Sequence, residues 1–136
     1  MSFLLIFAIV VDLILVGLFK ILFRRSRPEF NESNDQYYEA PVADKYSFPS
    51  GHTSRSSMLS VLFFIIVKPE NLGFCMVILM FPIFLGMSRV MMGRHYVSDI
   101  LGGFILGIYE AYIVLSYSEW WIELANSMLS DYTFNL

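Results

Sequence analysis

Hydrophobic positions run almost unbroken through four stretches of the chain, 2–23, 53–67, 72–87 and 97–117, and the polar positions gather between them. A helix needs about 20 mostly apolar residues to cross a bilayer. The first and last stretches reach that length alone, and the middle two reach it by extending into their polar flanks. Residues 24–50 form the one sizeable loop, and Lys68-Pro69-Glu70-Asn71 makes a tight turn. Residues 119–136, opening on Trp120 and Trp121, read as an interfacial anchor with an amphipathic end. The first stretch carries Asp12 and lacks both a basic start and a small-residue cleavage site, so it reads as a retained span rather than a leader. The expectation is an all-α integral membrane bundle: one domain over 1–136, with about four spans around a polar site.

Composition supports this. Of 136 residues, 57% are hydrophobic and 15% charged, against roughly 25% charged in average globular chains. Mean hydropathy is +0.61. The single cysteine, Cys75, excludes a disulfide within the chain. The net charge of −3 says less than where the charges sit. With the four helices alternating in direction, Lys20, Arg24, Arg25, Arg27, Lys45, Arg55, Arg89 and Arg94 share one membrane face with both histidines, and Lys68 alone lies opposite. Cations and imidazoles concentrated at a membrane boundary point to an anionic ligand; nucleic acid is not an expected partner.

Each basic island has its own logic. In the stretch FPSGHTSRSS, Ser50 can cap the helix that follows and Gly51 permits close backbone approach, so the free N–H groups of the first turn face an anion. Lys20 ends the first span, and Pro28 stiffens the exit behind Arg27, a potential bidentate donor. The spacing of His95 and Asp99 lets the carboxylate fix one imidazole nitrogen and leaves the other to attack. Singly, each has a plainer reading: a juxtamembrane basic patch, an ordinary helix cap, or a structural His/Asp pair or half of a metal site.

Taken in order, KILFRRSRP (20–28), PSGH (49–52) and SRVMMGRHYVSD (88–99) fill eleven fixed positions. This pattern resembles the type 2 phosphatidic-acid phosphatase superfamily, which includes bacterial acid phosphatases and vanadium haloperoxidases. The wording DKYSFPSGHTSR and SRVMMGRHYVSDILGGF is similar to its polyisoprenoid diphosphate phosphatase branch. The resemblance implies metal-free phosphoryl transfer with no cofactor. His95 would be the nucleophile, Asp99 its orienting partner, and His52 the acid and then the base. Lys20, Arg27, Arg89, Ser50 and Gly51 would hold phosphate oxygens. The implied substrate is a lipid phosphate in the bilayer: an isoprenoid diphosphate or monophosphate, or phosphatidate. A catalytically silent membrane subunit and a vanadate-holding haloperoxidase are the competing readings.

Other features carry expectations of their own. Integral members of the family usually have two further spans ahead of the first block, so the chain reads as a fragment, a short isoform or a minimal form. Asp12 and Glu110 fall roughly 12–17 Å below the active face at ~1.5 Å per residue. They read as neutral carboxyls bonded to neighbouring helices, with a polar cavity or proton path as the alternative. Gly103-x3-Gly107 suggests close helix packing within the chain or against a second copy. Pro82 is expected to kink the third span, and Arg94 to be a solvated interface arginine that can also touch a second phosphate. Positive charge places the active face in the cytoplasm. The resemblance places it in the lumen, in the endoplasmic reticulum or nuclear envelope, where the Asn31-Glu32-Ser33 sequon would be usable.

Overall fold

The computed structural model describes residues 2–28 and 45–133, and side chains for 3–28 and 45–128. The Asn31 sequon lies outside the described residues. Among the described residues five helices follow in order: α1 Ser2–Phe23, α2 Gly51–Val67, α3 Leu72–Met91, α4 Val97–Ser116 and α5 Ser118–Thr133. No strand occurs among the described residues. α1, α3 and α4 are long and apolar enough to cross a membrane. α2, at 17 residues, is a shorter apolar helix at the lower end of the length a span needs. It packs between α1, α3 and α4, and Ser54, Ser56, Ser57 and Ser60 are buried in those seams rather than turned to lipid.

Glycine lets α2 and α4 approach this closely. A Cβ at Gly103 would lie 2.7 Å from the Ser50 carbonyl oxygen, and one at Gly107 would overlap that of Ser54. The 103/107 pair therefore packs within the chain. Below this seam, Ala8, Met58, Leu62, Ala111 and Val114 form the apolar core of α1, α2 and α4. It sits towards the end of the bundle away from the histidines.

Two boundaries differ from expectation. α2 starts at Gly51 because Ser50 caps it, with extended backbone and its hydroxyl towards the Thr53 N–H. α3 runs to Met91, one turn past the expected 87, and within it the Ser88 hydroxyl donates to the Leu85 carbonyl at 2.7 Å. Pro82 is buried within α3 and the helix continues through it. Proline has no N–H for the carbonyl four residues back, that of Ile78. The Ser60 hydroxyl of α2 donates to that oxygen at 3.0 Å and ties the two helices together.

The C-terminal tail matches an interfacial anchor only in part. Trp120 is exposed, but Trp121 turns onto α1. Its ring stacks on Phe7 with centroids 4.8 Å apart, and its Nε1–H donates to the Phe3 carbonyl at 2.9 Å.

Candidate active site

The C-terminal ends of α1 and α3 and the N-terminal ends of α2 and α4 meet at one end of the bundle. The loops there are pinned by their own backbone. The Ser47 N–H and hydroxyl donate to the Arg25 and Ser26 carbonyls, each at 2.9 Å. The Ser50 N–H donates to the Asp99 carbonyl at 3.0 Å, which fixes the mouth of α2 against the first turn of α4. After α3 the chain reverses through Gly93, whose φ of 67° suits a residue without a Cβ. This turn carries Arg94 and His95 back towards α4.

A cavity of about 210 Å³ opens between these ends, lined by Lys20, Arg27, Gly51, His52, Arg55, Arg89, Arg94 and His95, with Leu13, Val16 and Gly17 of α1 beneath. Of the eight residues singled out from the sequence, six line it: Lys20, Arg27, Gly51, His52, Arg89 and His95. Asp99 stands behind His95. Ser50 is fully buried and is not among the lining residues. Its hydroxyl accepts from the Thr53 hydroxyl at 3.1 Å, so it serves the helix cap rather than the cavity. Lys20 is buried, and its ammonium donates to the Tyr46 carbonyl at 2.8 Å. Arg89 Nε is buried with no hydrogen-bond partner.

His95 is buried and His52 exposed, so the two imidazoles meet different environments. Nδ1 of His95 faces Asp99 Oδ2 at 3.6 Å, beyond hydrogen-bond range. The other ring nitrogen is the one available to the cavity. Asp99 is itself held on both oxygens: Oδ2 accepts from the Tyr96 N–H and Oδ1 from Arg25 Nη1, each at 2.9 Å. Arg25 also donates to the Ser98 hydroxyl at 2.6 Å and lies over the Tyr96 ring, 4.2 Å from its centroid. In the sequence Arg25 is one of several arginines in a basic patch. Nothing in its local pattern separates it from Arg24, whose Nε turns back to the Ile21 carbonyl.

Deeper in the bundle, Asp12 pairs with Arg55 of α2 at 2.6 Å. Glu110 accepts from the Ser54 hydroxyl at 2.9 Å and interacts with Asp12. Both carboxyls thus find partners inside the chain. Among the described residues, no three His, Cys, Asp or Glu side chains gather into a group that could hold a metal ion.

Apolar helices carrying a cation-and-imidazole cavity at one end define a membrane-embedded anion-handling protein. Residues 2–123 match the PAP2 superfamily, and the chain belongs to that family. It is 35% identical over 130 residues to the probable lipid phosphate phosphatase beta of Arabidopsis thaliana, covering 78% of this chain and 60% of that protein. It is 32% identical over 119 residues to phosphatidylglycerophosphatase B of Bacillus subtilis, covering 79% and 53%. With the undecaprenyl-diphosphatase of the same organism it shares 30% over 79 residues, covering 58% and 39%. The chain thus spans 39–60% of the length of these three relatives. No solved structure matches it.

Proposed function

We propose that this chain is a lipid phosphate phosphohydrolase that works without a metal ion through a phosphohistidine. The observation that carries the reading is that His52, His95, Lys20, Arg27 and Arg89, from separate parts of the chain, line one cavity with Asp99 behind His95. The named activities of its relatives support the same reading.

His95 attacks phosphorus in line with the leaving oxygen. An N–P bond forms as the P–O bond breaks, and its electron pair passes to the oxygen, which takes a proton from His52. Asp99 orients the imidazole and balances its developing charge. His52 then removes a proton from water, which attacks the phosphohistidine and releases inorganic phosphate. Lys20, Arg27, Arg89 and the Gly51 N–H hold the equatorial oxygens. Donors fixed in a partly water-excluded site contribute most to such a step, and removal of one typically costs ~10²–10³ in rate. An apolar floor of Leu13 and Val16 suits a substrate whose tail stays in the bilayer. Isoprenoid diphosphates or monophosphates and phosphatidate fit this description. The setting proposed is the endoplasmic reticulum or nuclear envelope, with the active end in the lumen.

The test is phosphate release by the purified full chain in detergent with EDTA, on farnesyl diphosphate and phosphatidate. Release that survives EDTA and falls at least ~10³-fold in His95→Ala is the expected result. Release that requires a divalent ion, or that survives in His95→Ala, overturns the mechanism.

A further inference from the structure

Arg55 lies three residues past the PSGH block, at the end of the DKYSFPSGHTSR stretch, and lines the cavity. α2 places it three residues past His52 on the same face, so it sits ~4.5 Å deeper along the helix axis. Its Nε and Nη2 both donate to Asp12 Oδ2, at 2.8 and 2.6 Å. The two ends of this pair differ: the Asp12 side chain is fully buried, whereas that of Arg55 keeps 43% of its surface exposed. The carboxylate acts as a clamp inside the bundle on one edge of the guanidinium, Nε and Nη2, while the residue itself lines the cavity. Beside this pair the Ser54 hydroxyl of α2 donates to Glu110 of α4 at 2.9 Å. An arginine anchored in this way has already given up much of its rotamer freedom and is suited to a directional contact.

The lining therefore has an order. Lys20, Arg27, Arg89 and His95 sit at the loop end, His52 on the first turn of α2 and Arg55 one turn below it, with Leu13 and Val16 on the α1 side. Read as substrate, that order is a terminal phosphate, a leaving oxygen and a second anion. We propose that Arg55, clamped by Asp12, binds the second phosphate of a diphosphate headgroup, the one that departs with the lipid. This rests on the function proposed above and specifies its substrate class. His95 takes the terminal phosphoryl group, the bond from its phosphorus to the bridging oxygen breaks, and a lipid monophosphate leaves with Arg55 holding its charge. A lipid monophosphate puts only carbons of its tail at that depth and gains no such contact.

The test compares farnesyl diphosphate with farnesyl monophosphate on wild type, Arg55→Gln and Arg55→Lys, using the full chain in detergent. A hydrogen bond between charged groups leads to an expected fall of about tenfold or more in the diphosphate-to-monophosphate ratio of kcat/KM for Arg55→Gln, with Arg55→Lys between. Equal losses on both substrates overturn the proposal, because they make Arg55 a structural residue only. A second readout does not depend on turnover: thermal stabilisation by a farnesyl methylenebisphosphonate against a farnesyl phosphonate. Wild type should be stabilised more by the bisphosphonate, and Arg55→Gln should lose that preference. Equal stabilisation of wild type by both overturns the proposal, even if Arg55→Gln fails to fold. A bisphosphonate preference that depends on Arg55, in a protein that hydrolyses neither substrate, upholds this subsite and sinks the hydrolase reading instead.

Discussion

The two halves of the candidate site are held in different ways. His52 sits on α2 and Asp99 on α4, and those helices meet backbone to backbone where Gly103 and Gly107 leave no room for a Cβ. Lys20, Arg25 and Arg27 belong to α1 and its exit, and polar links tie this half to the rest: Asp12 to Arg55, Lys20 to the Tyr46 carbonyl, Arg25 to Asp99. Gly17, in the same helix, has nothing within 4 Å of a Cβ position. Close packing is intolerant of added volume because an overlap with backbone has no rotamer to escape into. Polar links tolerate volume but fail when one partner is removed. His52 and Asp99 therefore stand on a rigid seam, while Lys20, Arg25 and Arg27 are held through ties that can be cut singly.

The largest effect should follow from breaking the seam. Gly107→Leu puts a branched side chain where even a Cβ overlaps the Ser54 carbonyl oxygen. Overpacking of this kind typically costs ~1–3 kcal/mol, occasionally more. Thermal unfolding in detergent should show a marked drop or no cooperative transition, with phosphate release lost in parallel. Gly17→Ala is the contrast on α1, where the melting temperature should hold or rise because alanine is the better helix former. A Gly107→Leu protein as stable as Gly17→Ala would remove the distinction between the two halves.

Cutting a link on the α1 side should affect the chemistry more than the fold. Arg25 does not line the cavity, but it binds the Asp99 carboxylate and packs on Tyr96. On the function proposed above it is a positioning residue. Arg25→Gln should lower kcat by about 10- to 100-fold, the order associated with a misplaced catalytic group, while KM stays within about twofold. Arg25→Lys should recover part of kcat by keeping one charged donor. Steady-state kinetics normalised to the folded fraction distinguish this from lost stability, and a rise in KM with kcat unchanged would place Arg25 on the substrate instead.

Much of this organisation was legible in the sequence, and its gaps have physical causes. Apolar stretches and alternating helix direction were enough to bring both histidines and the motif cations to one end. Three arginines within four positions were not separable by chemistry. Only the fold sends Arg24 back along its own helix, Arg25 to Asp99 and Arg27 to the cavity. Ser50 could be read as a cap or as a phosphate ligand, and the closeness of Thr53 and the Asp99 carbonyl turned it inward. α2 reads poorly as a span because its serines face other helices. The Ser60 bond to the Ile78 carbonyl depends on which carbonyl Pro82 leaves open and which helix lies beside it, and no local pattern carries that information.

The smallest expected effect lies at the far end of α1, where Trp121 of α5 stacks on Phe7 and donates to the Phe3 carbonyl. This tie resembles the others on α1 in being a side-chain link, but it sits away from the cavity. Trp121→Ala removes an aromatic pair worth ~0.5–1.5 kcal/mol and a hydrogen bond of ~0.5–1.5 kcal/mol. Trp121→Phe keeps a ring on Phe7 and removes only the donor, so the difference between the two variants isolates the stack. Both should lower the unfolding midpoint in that order and leave kcat within about twofold. If the polar links near Lys20 and Arg25 set the geometry of the α1 half, its opposite end can loosen without moving those cations. A loss of turnover in Trp121→Ala matching that in Arg25→Gln would mean that α1 is positioned as a rigid rod from both ends.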